Sequence, residues 1–164
     1  AHQHSGVTPD LMTLSKALGG GLPMGCCIAG EKGADVFSPG DHASTFGGSP
    51  IAAAAALAAL KVMLDEDLPK KALENGDYFH GILSQLKMDF PVIREIRGKG
   101  LMVGLELHGA AASHIEACHE NGLLVCSAGP NIIRFLPPLV VSRDELDQAG
   151  GILRKVFSSL RGAS

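Results

Sequence analysis

Short apolar runs alternate with longer stretches of helical pattern along nearly the whole chain, and this alternation limits the fold more than any single motif. Leu11–Leu14 and residues 25–29 read as short strands, the first buried by composition, with a glycine-rich turn at 19–23 between them. Residues 31–37 suit one or two helical turns, and 38–49, SPGDHASTFGGS, is a loop. Ser49 before Pro50 marks a helix start, with serine as N-cap and proline at the first helical position. The helix predicted over 51–64 is apolar on nearly every side, so burial is expected, and its alanines allow close approach by neighbours. From Asp65 to Phe90 the pattern becomes charged and amphipathic, enough for one or two helices. Residues 92–96 and 101–107 read as strands joined by the RGKG of 97–100, and 123–126 and 132–136 as shorter ones. Ser113 with Glu116, and Ser142 with Glu145, have capping-box spacing. The last helix puts Leu146, Ala149, Leu153, Val156, Phe157 and Leu160 on one face. The fold class is α/β, with a change of domain expected near residue 72 and no internal repeat.

Composition removes several function classes. The net charge is -3, no basic block occurs, and there is one tyrosine and no tryptophan. A nucleic-acid surface built on phosphate contacts and base stacking is not expected. No apolar run approaches the roughly 20 residues of a membrane span. Cys26, Cys27, Cys118 and Cys126 form no CxxC pair. Reduced thiols and a cytoplasmic location follow as expectations. The opening residues AHQHSGVTPD read as the interior of a longer chain. Twenty-one glycines are an unusually large share and imply many tight backbone positions.

One position joins tight backbone to reactive chemistry. In TLSKALGGGLPMG, Lys16 is flanked by Leu14, Ala17 and Leu18 and followed by a glycine cluster. A lysine at a strand end is usually solvated. Desolvation here would favour the neutral amine, a nucleophile able to form a Schiff base with an aldehyde. Glycines would let a flat cofactor approach the backbone. Arg134, inside the apolar NIIRFLPP, needs an anionic partner, either a protein carboxylate or a ligand carboxylate held in bidentate fashion. Metal readings are weaker. His2 and His4 lack a third ligand, and His114, Cys118 and His119 read as a helix surface or core edge, so no metal is expected. GGGLPMG does not satisfy GxGxxG, and RGKGLMVGLEL lacks the Walker pattern. Arg97 and Lys99 are expected to face solvent, and no acidic pair stands out.

The segment HSGVTPDLMTLSKALGGGLPMGCCIAG resembles the lysine segment of class III (ornithine-type) pyridoxal-phosphate aminotransferases. VFSPGDHASTFGGSPIAAAAALAAL resembles their phosphate-contact loop and the helix after it. IREIRGKGLMVGLEL and NGLLVCSAGPNIIRFLPPLVVSRDELDQA resemble their C-terminal domain, so the motifs follow family order along almost the entire chain. The resemblance implies the C-terminal part of a fold-type-I transferase: residues 1–72 ending the large cofactor domain with its Ala-rich exit helix, and 73–164 forming the small α/β domain. It implies pyridoxal 5'-phosphate as cofactor and Lys16 as the residue that forms the Schiff base with it. Thr45 would contact the cofactor phosphate, usually that of the partner subunit in a homodimer. Ser44 would contact substrate, and Arg134 would clamp a substrate carboxylate. Ser49 stands where the family commonly has Asn, and Ala43 where Gly is frequent. The wording of the 37–50 loop most resembles the branch that moves an amino group from N-acetylornithine to 2-oxoglutarate in arginine biosynthesis. Ornithine and 4-aminobutyrate are alternative amino donors. A catalytically silent piece, serving dimer contact or domain packing, is the alternative from another class. Family members carry upstream the acidic partner of the pyridine nitrogen, a stacking aromatic and a backbone phosphate cradle, so this chain alone is expected to bind the cofactor weakly.

Overall fold

In the computed structural model, which describes residues 2–161, Leu11–Leu14 forms strand β1 and Cys26–Ala29 forms β2. They pair antiparallel, with Leu11 opposite Ala29 and Leu14 opposite Cys26. A 3-10 turn, Lys16–Gly19, leaves β1 directly, and Gly20 and Gly21 follow at φ +59° and +108°, conformations that glycine adopts at little cost. Helix α1, Pro50–Asp65, starts where the Ser-Pro signal places it, although the Ser49 side chain makes no capping bond. A Cβ on Gly20 would lie 3.5 Å from the Ala55 carbonyl oxygen and 3.7 Å from the Ala59 methyl, so the glycine turn rests on the small-residue side of α1.

Two expectations fail in this first unit, Ala1–Glu66. β1 is not buried, since Leu11 is 61% exposed. Nor is α1: among its residues only Ala52 and Ala56 are buried, while Ile51, Leu57 and Leu64 lie open. A two-stranded sheet and one long helix have too little apolar surface of their own to cover an all-round apolar helix.

The second unit, Asp67–Ser164, contains the core. Its first helix, α2, is a single element, Leu68–Asp89. Strand β3, Ile93–Lys99, and β4, Met102–Leu107, form a hairpin. Most of the supposed RGKG connector is strand, with Arg97 opposite Gly104 and Lys99 opposite Met102, and Gly100 (φ +55°) makes the reversal. Helix α3 is Ala112–Glu120, β5 is Cys126–Ser127, β6 is Ile132–Phe135 and α4 is Arg143–Ser159. The sheet is antiparallel throughout, in the order β3-β4-β6-β5. Val103, Leu105, Ile133 and Phe135 point to one face and join Phe79, Leu83 and Leu86 of α2 and Leu146, Leu153, Val156 and Phe157 of α4 in one apolar cluster. Phe79 meets Phe135 edge-on at 5.3 Å, a favoured aromatic geometry. The units divide at Glu66 and Asp67, ahead of the expected residue 72, because Ala72 on α2 already packs against this cluster.

Of the two capping boxes only the second forms. The Glu145 N–H donates to Ser142 Oγ at 3.2 Å, and the Ser142 N–H donates to the Glu145 carboxylate at 2.8 Å. These bonds hold Glu145 below the usual carboxylate range. Helix α3 begins two residues earlier than Ser113 as N-cap requires: the Ile115 N–H donates to the carbonyl of Ala111, a core residue, and Ser113 is inside the helix.

Candidate active site

Lys16 stands at the junction of β1 and the 3-10 turn, with φ +59°, one of two non-glycine residues in the left-handed region among those described. For an L-residue that conformation costs roughly 1–2 kcal/mol. The preceding Ser15 is fully extended, so the chain changes direction sharply at the lysine. The side chain is exposed, which corrects the expected desolvation by Leu14, Ala17 and Leu18. Among the described residues Lys16 has no hydrogen-bond or ion-pair partner.

Ser44 and Thr45 lie in the loop before α1. The Gly47 N–H donates to the Ser44 carbonyl at 3.3 Å, and a Cβ on Gly47 would come within 3.0 Å of the Ser44 Cβ, so glycine lets the turn close over the serine. Ser44, Gly47, Gly48 and Ala52 line a hollow of about 410 Å³ with Met24 and Gly25 from the end of the glycine-rich turn. The fold therefore brings the two glycine segments, distant in sequence, onto one hollow beside the start of α1. Thr45 is exposed at the edge of this turn. Neither Lys16 nor Thr45 lines this hollow; what the hollow offers is the Ser44 and Ser49 hydroxyls on a glycine-rich backbone beside the first turn of α1.

Arg134 belongs to the second unit, on β6. It faces away from the apolar cluster, because its neighbours Ile133 and Phe135 take the core positions. Its Nε is buried and has no hydrogen-bond partner. Among the described residues no carboxylate pairs with it. A shallow pocket of about 260 Å³ opens beside it, lined also by Arg97, Gly104 and Ile132.

The same sheet face carries a cluster that sequence reasoning missed. Glu106 is only 7% exposed. Its Oε1 accepts from Arg94 Nη1 at 3.0 Å and from Asn131 Nδ2 at 3.1 Å, and its Oε2 pairs with Arg97 Nη1 at 2.5 Å. Arg97 also reaches Glu95 at 2.6 Å, so it is paired rather than simply solvated. The Arg97 guanidinium bonded to Glu106 holds that carboxyl below its ordinary range. The signal was present as strand periodicity: Gly104 and Glu106 share the face opposite Val103 and Leu105.

The remaining candidates are structural. His114 Nδ1 is buried without a partner and its ring lies 4.8 Å from that of Phe157. Cys118 is fully buried, which pushes its thiol up to about 11. His119 Nε2 donates to the Val125 carbonyl oxygen at 2.8 Å. His2 Nδ1 lies 2.9 Å from the Val7 carbonyl oxygen. No group of three or more His, Cys, Asp and Glu among the described residues could hold a metal ion, and no helix among them is long and apolar enough to cross a membrane.

Comparison with known proteins identifies the family. The family described as Aminotransferase class-III matches residues 1–157. Acetylornithine aminotransferase of Methanothermobacter thermautotrophicus is 47% identical over 161 residues, covering 98% of this chain and 41% of that protein. Ornithine aminotransferase 2 of Staphylococcus aureus (strain MRSA252) is 48% identical over 158 residues, covering 96% and 39%. The crystal structure of acetylornithine aminotransferase from Elizabethkingia anophelis superposes with a TM-score of 0.89 at 36% identity, covering 96% of this chain and 43% of that one. Ornithine aminotransferase from Toxoplasma gondii, crystallised with oxidised glutathione and carrying PLP at partial occupancy in its active site, gives 0.90 at 34%, covering 98% and 39%. The chain thus spans about two fifths of the length of the curated relatives it matches.

Proposed function

The chain belongs to the class-III aminotransferases, and from that premise we propose that it supplies the reactive lysine, a phosphate-side loop and the substrate-carboxylate arginine of an enzyme moving the amino group of N-acetylornithine to 2-oxoglutarate. The observation that carries this reading is Lys16: an exposed amine held in a strained backbone conformation at the edge of a glycine turn, in the segment that matches the family. Strain of this kind gathers where a side chain must be presented for chemistry. Residues 1–72 are read as the end of the cofactor domain with its exit helix and 73–164 as the small domain, supported by a division into compact units nearby, between Glu66 and Asp67.

Pyridoxal phosphate, when bound, supplies an aldehyde carbon that takes up the amino group and a ring that accepts the electron pair of the broken C–H bond. Lys16 would hold the cofactor through its Nζ, and the same amine, once free, would take the proton from the donor carbon and return it on the other side of the reaction. Thr45 offers its hydroxyl and N–H to the phosphate, in a homodimer to that of the neighbouring subunit, and Ser44 contacts substrate. Arg134 receives the carboxylate of 2-oxoglutarate; its partnerless Nε supports the assignment, because an arginine left without an acceptor costs stability unless a ligand satisfies it. Net, the donor leaves as an aldehyde and the 2-oxo acid as glutamate. Cytoplasmic location belongs to the same proposal, supported by four free cysteines.

Ornithine is the second reading for the amino donor, favoured by the ornithine aminotransferases of 48–49% identity among the relatives. Steady-state rates with N-acetylornithine and ornithine, 2-oxoglutarate fixed, decide between them. The lysine is tested on the complete protein by borohydride reduction and mass spectrometry. The adduct is expected on Lys16 and absent from Lys16→Ala; an adduct on another side chain overturns the proposal.

A further inference from the structure

We propose that Arg97 is a positioning residue for carboxylate binding: by holding Glu106, it keeps that carboxylate away from Arg134. The inference rests on the reading of Arg134 as the substrate-carboxylate residue. It begins from the register. Gly104 pairs with Arg134 and Glu106 with Ile132, so Glu106 and Arg134 are diagonal neighbours on one sheet face. Such positions lie roughly 7–8 Å apart at the backbone, within reach of long side chains. An arginine with a buried, partnerless Nε beside a nearly buried carboxylate would ordinarily pair with it. It does not, and the donors already on Glu106 supply a reason. Arg94 and Asn131 occupy one oxygen and Arg97 the other.

Arg97 reaches Glu106 from the opposite side. It lies across Gly104 from Arg134, the three residues forming a row over β3, β4 and β6. With no side chain at the middle position, the row leaves the pocket beside Arg134 open. The geometry thus keeps one guanidinium engaged with the protein and reserves the other for an incoming anion. Without Arg97, Oε2 of Glu106 loses its partner on the face it shares with Arg134.

The test uses the complete, cofactor-loaded protein and glutarate, an unreactive dicarboxylate of the same carbon-chain length as 2-oxoglutarate, with binding measured by calorimetry. Arg97→Met is expected to weaken glutarate about tenfold, the loss of one charge-assisted contact. Arg97→Lys, which keeps a donor for Glu106, should stay near wild type. Arg97→Met/Glu106→Gln should regain most of the lost affinity, because the competing carboxylate is gone. A crystal structure of Arg97→Met should show Arg134 bonded to Glu106. Where Arg97→Met does not fold, Arg97→Gln replaces it in both forms. Unchanged affinity in the single variant overturns the proposal, as does failure of the double variant to recover. Arg134→Ala separates the two readings: if it binds glutarate like wild type, the assignment of Arg134 itself falls, whereas loss in Arg134→Ala with none in Arg97→Met sinks only the role of Arg97.

Discussion

The left-handed conformation of Lys16 separates what this residue is chosen for from what its backbone prefers. Replacing it by alanine keeps the strain; replacing it by glycine removes it. Lys16→Gly is therefore expected to be about 1 kcal/mol more stable than Lys16→Ala, read from urea midpoints of the two complete proteins, both without the amine. The sequence marked Lys16 through its glycine neighbours but gave no sign of its φ, which depends on where β1 ends and the turn begins. His114 is a second residue whose environment matters more than its identity. Burial holds it below its ordinary range, so it is neutral in the folded protein at pH values where the unfolded chain begins to protonate. Its contribution is complete above about 6.5, the unfolded value, and is lost as pH falls toward the lower folded value. Urea midpoints should drop on going from pH 7.5 to 5.5 by more in wild type than in His114→Phe, which keeps the ring against Phe157 and cannot titrate.

At the scale of elements, pattern was legible where one residue decided the outcome and illegible where a neighbouring element did. Ser142 forms its box because the chain enters α4 from an extended segment (ψ +161° at Ser142), leaving the serine outside the helix. Ser113 has the same spacing but fails, because the anchored Ala111 already gives the first helical carbonyl. Glu106 was overlooked for a related reason: its partners Arg94, Arg97 and Asn131 come from two other segments, and only strand register brings them together. The α2–hairpin contact depends on the pairing of two glycines. A methyl on Gly76 would lie 2.4 Å from the backbone of Gly100, and backbone on that side cannot rotate away as a side chain could. Gly76→Ala should therefore destabilise the second unit by about 3 kcal/mol, despite the better helix propensity of alanine, with the loss visible as a lower thermal midpoint.

On the scale of the whole chain, the two units differ in how far each satisfies itself. Every residue of the apolar cluster lies in the second unit, from Phe79 to Phe157, and the sheet, α2 and α4 close over it. Tyr78 donates to Asp147 at 2.7 Å and Arg154 pairs with Asp89 at 2.7 Å, tying the two helices at their edges. The first unit leaves Leu11, Phe37, Phe46, Ile51, Leu57 and Leu64 exposed, and among its described residues the only buried hydrophobics are two alanines of α1. Sequence pattern gave the helix and its apolar character correctly, but apolar character sets a demand for partners and does not say whether this chain supplies them. The consequence is a difference in autonomy. A polypeptide of residues 67–164 should unfold in one cooperative transition by circular dichroism and near-ultraviolet signal, since it brings its own core. Residues 2–66 alone should show no cooperative transition and should bind a hydrophobic dye such as ANS through the open faces of β1 and α1. If instead 2–66 melts cooperatively, its apolar surface finds partners within those residues, and the lysine proposed as catalytic would sit on a self-sufficient unit rather than on one completed by other polypeptide.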